Sequence, residues 1–267
     1  MTSQQLKANT QKFTELDIVN LVIEDDKPVD NFQSEQQQRL LVEPLYSSRT
    51  LPSPFLAAAN VGIFYRVGRE PIVLDMFLSL GIERPPDFSP KQNRCYIVEK
   101  FGKVPDVAIE IVSNRKGDEL TISRESQRKN KTATKKDVYA EVGIKYYVVF
   151  DPLKRIQTTK DMNNALLRVW KMSGGGYREI TTSEGIREVG EWIRLDEVEL
   201  GLKLWSGKFE EEHTRLWLRW CDVKGEVILT GAEAKEQSDQ RAEKSDQLAR
   251  KLAAKLRSLG IDPEQIT

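Results

Sequence analysis

Val107-Ala108-Ile109-Glu110-Ile111-Val112 is apolar at every position but one. A strand reads this way when it lies inside a sheet covered on both faces, because alternate side chains then both meet an apolar layer. Glu110 alone breaks the pattern, and burying a lone carboxylate costs several kcal/mol unless a cation, a metal or a proton compensates it. The anomaly recurs in Ile72-Val73-Leu74-Asp75-Met76-Phe77-Leu78, where Asp75 interrupts an apolar run. Each acid could also cap a strand end or pair with an arginine. Two such acids on separate strands can instead converge, and paired carboxylate oxygens suit a hard divalent cation such as Mg²⁺. Such an ion lowers the pKa of bound water and offsets charge developing on a phosphate.

Outward from this strand, the spacing predicts β segments at 72–80, 95–101 and 107–112, with Pro85, Pro86 and Pro90 in the loop between the first two. Residues 115–136 then carry eight basic residues against three acidic ones, the one concentrated basic stretch in the chain. A short helix over 134–142 stops at Gly143, a natural left-handed terminator. A strand over 145–150 follows, with a turn at Asp151-Pro152. Segments 166–172 and 177–181 flank Gly174-Gly175-Gly176 as a hairpin. Strand, helix and strand in this order predict an α/β core extended by antiparallel strands. On the short helix, Lys135 lies three and four residues before Val138 and Tyr139, so it shares the face that packs inward. It is either a cation aimed at the acids or one more surface lysine. Lys136 lies about a hundred degrees away and is expected to meet solvent.

The N-terminal part is less regular. Residues 1–27 are polar and read as a flexible lead-in. Leu40, Leu41 and Leu45 then mark one face of a helix whose end Pro44 should disturb. From Ala232 onward Ala, Glu, Gln, Lys and Arg dominate, with Leu248, Leu252, Leu256 and Leu259 four, four and three apart. This is a long amphipathic helix, either a solvated tail or a coiled coil joining two copies in a homodimer. The organisation expected is therefore a lead-in (1–27), a core domain (28–230) and a charged helix (231–267).

Composition excludes several classes. The 267 residues carry 41 Lys and Arg against 41 Asp and Glu, so no global field advertises a polyanionic partner and any such surface must be local. No apolar run approaches membrane-spanning length. Two unpatterned cysteines, Cys95 and Cys221, fit a reducing cytoplasm and build no zinc site. The single histidine, His213, follows Glu210-Glu211-Glu212, which argues against histidine triads.

Several of these stretches, in order, resemble the Uma-two family of restriction-endonuclease-like proteins, within the PD-(D/E)xK nuclease superfamily. They are Ile72 to Gly81, Ile109-Glu110-Ile111-Val112-Ser113, Lys135 and Tyr139 before Gly143, Tyr146-Tyr147-Val148-Val149-Phe150-Asp151-Pro152, and Trp217-Leu218-Arg219-Trp220-Cys221-Asp222. The resemblance implies a central mixed β-sheet flanked by helices, with Asp75 and Glu110 as metal ligands for Mg²⁺ or Mn²⁺. It implies a catalytic lysine supplied by the following helix, which selects Lys135, since Val112 stands where the superfamily's usual lysine would be. It also implies a cytoplasmic DNA endonuclease. The alternative is an inactive nuclease-fold protein whose terminal helix recruits a partner, a view favoured by Leu74 in place of the signature proline. Asp106, in Val104-Pro105-Asp106, is the reserve acid, and Glu35 on the first helix is a further acidic candidate.

Overall fold

The computed structural model describes residues 13–21, 31–115, 118–122, 124–260 and 262. In chain order the elements begin with α1 (Glu15–Asn20), α2 (Phe32–Ser47), β1 (Phe55–Ala58), β2 (Val61–Phe64), β3 (Ile72–Leu74), β4 (Met76–Leu80), β5 (Tyr96–Ile97), α3 (Val98–Phe101) and β6 (Val107–Ile111). They continue with α4 (Arg124–Arg128), α5 (Lys135–Val142), β7 (Tyr146–Phe150), β8 (Leu167–Ser173), β9 (Gly176–Glu179), β10 (Trp192–Leu195), β11 (Leu200–Gly207), β12 (Arg215–Cys221) and α6 (Gly231–Ser258).

β6 is the central strand that its composition demands: all five of its residues are buried. It pairs antiparallel with β4 and parallel with β7 in a six-stranded mixed sheet of order β1-β4-β6-β7-β8-β9. Strand alternation sorts the side chains into two layers. Met76, Leu78, Val107, Ile109, Ile111, Tyr146, Val148 and Phe150 face Leu41 and Leu45 of α2, together with the leucines of β11. Phe77, Ala108, Val112, Tyr147 and Val149 face Tyr139 of α5 and the small sheet β3-β2-β5. The protein is thus a mixed α/β fold with both sheet faces covered and a long helix at its C-terminal end.

α5 is delimited by local chemistry. The Thr134 hydroxyl accepts from the Asp137 amide while the Asp137 carboxylate accepts from the Thr134 amide, which closes a capping box. Gly143, at φ +91°, ends the helix in the left-handed conformation that glycine adopts without strain.

Four expectations are corrected. The stretch 72–80 is not one strand: it leaves the small sheet at Leu74 and joins the large one at Met76, with Asp75 at the changeover. The segment 95–101 becomes the two-residue β5 and the helical turn α3, because Gly102 (φ +72°) accommodates a helical stop. α2 runs one turn beyond Pro44. Within the lead-in, residues 13–21 hold α1, and Phe13, Ile18 and Leu21 pack on Phe64, Cys95 and Ile97. The antiparallel sheet β10-β11-β12 has no counterpart in the sequence reading. Gln37 clamps it to α2, accepting from the Leu218 amide (2.9 Å) and donating to the Leu218 carbonyl (2.8 Å).

The first turn of α6 belongs energetically to this body. Arg219, 1% exposed, lies over the Trp205 ring and forks onto both oxygens of Glu233 at 2.7 and 2.6 Å. Burial pushes the Glu233 carboxyl up, but Arg219 and the Thr230 amide outweigh it and hold the carboxyl below its ordinary 4.5. The stability this acid contributes is therefore complete above pH 4.5 and is lost as the pH falls through the depressed folded value. Removing one partner of a buried pair strands the other. A chain ending at Gln240 should unfold in urea like the full chain, whereas one ending at Gly231 should lose about 3–5 kcal/mol. The stability gap between wild type and Glu233→Gln should narrow below pH 4.5.

Candidate active site

Glu110 is fully buried in the middle layer of the sheet, and α5 compensates it. Tyr139 donates its hydroxyl to Oε1 and Lys135 donates Nζ to Oε2, each at 2.5 Å. The two donors stand four residues apart on one helix, the spacing that stacks side chains on a common face. Burial, reinforced by Glu110, raises the Tyr139 hydroxyl well above its ordinary 10, so it stays a neutral donor. For Lys135, burial works against the charge, but Glu110, Glu119 and Asp75 outweigh it and raise the ammonium above its ordinary 10.5. Its side chain is one-third exposed along its length, while Nζ lies on the buried Glu110 carboxylate.

Asp75 reaches the same place from β4. The last registered pair of β4 and β6 is Met76 with Ile109, and the next residue outward on each strand is Asp75 and Glu110. Continued, this register would set Leu74 opposite Ile111, but the Leu74 carbonyl accepts instead from the Asn60 amide. The Asp75 Oδ2 takes the vacated position, accepting from the Ile111 amide at 2.6 Å. Asp75 follows the alternation of Phe77 onto the α5 side, and its charge acts on Lys135, Tyr139 and Tyr147.

A third acid, Glu119, is absent from the sequence reading. It is buried with Oε1 3.6 Å from the Lys135 Nζ, and its Oε2 has no hydrogen-bond partner. Burial raises its pKa above the ordinary 4.5, with Lys135 opposing the shift and Glu110 adding to it. Nothing in residues 115–136 distinguishes it, since an acid in a polar, basic stretch looks solvated. The basic character of that stretch is partly spent internally: Lys131 pairs with Asp118 at 2.8 Å and Lys135 with Glu110. Lys136, expected in solvent, is half-buried over the Trp170 ring at 5.2 Å.

The structure therefore brings Asp75, Glu110 and Lys135 together and sets the other candidates elsewhere. Asp106 lies four residues back along β6, roughly 13 Å away by strand rise, accepting from the Leu80 amide at 2.8 Å and from Lys103 at 2.6 Å. Glu35 is an exposed partner of Arg39 at 2.5 Å, and Arg39 also bonds Glu210. Val112 sits in the apolar cluster with Tyr139. Among the described residues no three His, Cys, Asp or Glu side chains gather as a metal cluster. Two carboxylates are nonetheless a complete protein contribution for Mg²⁺, which keeps several waters and takes further oxygens from substrate phosphate. In kind these are the donors such an ion takes, and both Glu110 oxygens here already accept from Lys135 and Tyr139.

No family model matches the chain, and no curated protein does. Among solved structures it is similar to one described as "a putative nuclease belonging to DUF820 from Anabaena variabilis", with a TM-score of 0.38 and 16% identity over 64% of this chain and 76% of that one. No helix among the described residues is long and apolar enough to cross a membrane.

The buried bonds to Glu110 carry a stability signature. Tyr139→Phe leaves a carboxylate oxygen short of a donor and should cost about 1–3 kcal/mol in urea unfolding. In a double-mutant cycle with Glu110→Gln the two losses should couple by at least about 0.5 kcal/mol. Additive losses would show that the hydroxyl does not support the acid.

Proposed function

We propose that this chain is a restriction-endonuclease-like, metal-dependent nuclease that hydrolyses phosphodiester bonds of DNA. What supports the reading is one observation: a fully buried glutamate one residue past the last β4–β6 pair, an aspartate at the matching place just before β4, and a lysine bonded to the glutamate's carboxylate. Asp75 and Glu110 would hold Mg²⁺ or Mn²⁺, which when bound activates water and offsets charge on the phosphate.

The remaining chemistry belongs to the chain. Lys135, held charged by three surrounding acids, orients the attacking water and neutralises charge developing on the phosphoryl oxygens. Tyr139 fixes the orientation of Glu110 through Oε1. Glu119 gives Lys135 a second carboxylate to lean on when Glu110 is engaged elsewhere. The basic stretch beside α5 offers exposed Arg128 and Lys129 to the nucleic-acid backbone, contacts that position a duplex without reading its sequence.

A second reading, a nuclease-fold protein that assembles without cleaving, is favoured by the exposure of α6. One assay separates the two. Supercoiled plasmid should be nicked or linearised by the purified chain with Mg²⁺ or Mn²⁺ and left intact with EDTA. Lys135→Ala should slow this by about two to four orders of magnitude, the scale of losing a positioned charged group, compared at a temperature where circular dichroism shows the variant folded, since it also strands the Glu110 carboxylate. Lys136→Ala should do little. Plasmid left intact under every metal tested would reject the nuclease reading, and a fully active Lys135→Ala would reject the lysine's role.

A further inference from the structure

α6 is 28 residues long, about 42 Å at helical rise, and every residue from Ala234 to Leu252 is exposed. Its anchors to the body lie at its start, where Glu43 accepts from the Gly231 amide and Arg219 bonds Glu233. A helix whose remaining length packs on nothing gains no stability from burial, yet Leu248, Leu252 and Leu259 stand 58, 56 and 62% exposed. With Leu256 they fall within an arc of roughly eighty degrees.

The other half of the same broad face carries the exposed Ala234, Ser238 and Ala242, while Gly231 lies against Glu43 and Ser47 of α2. Reversed about Ser245, the helix sets Leu256 against Ala234, Leu252 against Ser238 and Leu248 against Ala242. Three large side chains thus meet three small ones, the alternation that lets two helices interdigitate. Charge has the same polarity: residues 231–244 hold four acids and three bases, whereas 245–258 hold four bases and one acid. Parallel pairing would lay the two basic halves side by side and set Arg241 on Arg241. Antiparallel pairing lays basic on acidic and sets Arg241 beside Ala249.

We propose that α6 is a dimerisation arm that pairs antiparallel with the α6 of a second copy of this chain, its two-fold axis passing near Ser245. The arm buries its leucines twice, once at each end of the pair, and opposes the two helix dipoles. The pairing is independent of whether the core cleaves DNA.

Sedimentation equilibrium of the full chain should give a dimer. Leu252→Glu should raise the dissociation constant at least about tenfold, a loss of 1.4 kcal/mol or more, with thermal unfolding of the core unchanged. Direction is read by cysteine pairing, since Cys95 and Cys221 are buried. On oxidation, an equimolar mixture of Ser238→Cys and Leu252→Cys chains should form the mixed disulfide dimer, and Ser238→Cys alone should not. A monomer at all concentrations would overturn the proposal. Efficient cross-linking of Ser238→Cys to itself would overturn the antiparallel arrangement.

Discussion

A carboxylate in the central strand of a sheet is the constraint around which this molecule is arranged. Glu110 has apolar neighbours along β6 and lies under covered layers on both sides, so its charge is tolerable only if donors come to it. α5 supplies both, and the capping box at Thr134 with the stop at Gly143 sets the helix boundaries that bring them there. The interaction also determines electrostatics further out. The same carboxylate keeps Lys135 charged and joins burial in keeping Tyr139 protonated, so a structural necessity yields a polarised site with a cation on one oxygen and a neutral donor on the other.

How much of this could be read from the chain follows from how far each signal reaches. β6 and β7 were legible because strands buried on both faces leave uninterrupted apolar runs, and α5 because its cap residues lie within it. Asp75 and Glu110 stood out as polar exceptions in such runs, and Lys135 followed from its place on the helix. The changeover at Asp75 left no mark, since a strand that passes between two sheets keeps its composition throughout. β10, β11 and β12 stayed hidden for a related reason. Their pattern mixes Trp, Arg and Lys, and the burial of Arg219 depends on Glu233, fourteen residues away. Glu119 was invisible because its burial, and its place beside Lys135 and Glu110, are made by the fold and leave no mark on the polar residues around it in the chain.

The two covered faces divide the labour. The face toward α2 and β11 is apolar and holds the sheet to its neighbours through Gln37 and through Trp220, whose indole donates to the Leu41 carbonyl at 2.8 Å. The face toward α5 carries Glu110 together with Tyr139 and with Tyr147, which stacks on Trp170 and Tyr177. Polar groups concentrate where a helix can satisfy them, so the side of the sheet that carries the buried acid is also braced.

The start of α5 has a consequence for how such a chain tolerates change. The Lys135 and Lys136 amides, which a helix leaves without internal partners, donate to the carbonyls of Asp118 and Glu119 at 2.7 and 3.2 Å. The Glu119 carbonyl is in turn fastened to β7 by the Tyr147 hydroxyl at 3.1 Å. The long excursion between Glu119 and Thr134 therefore departs from and returns to a single point tied to the sheet. Ser126 and Lys131 also return to the Asp118 carboxylate, so residues gained or lost between them, at the exposed positions 127–130, should change the reach into solvent and leave the lysine where it is. Loop length and lysine position can accordingly vary independently as the sequence diverges.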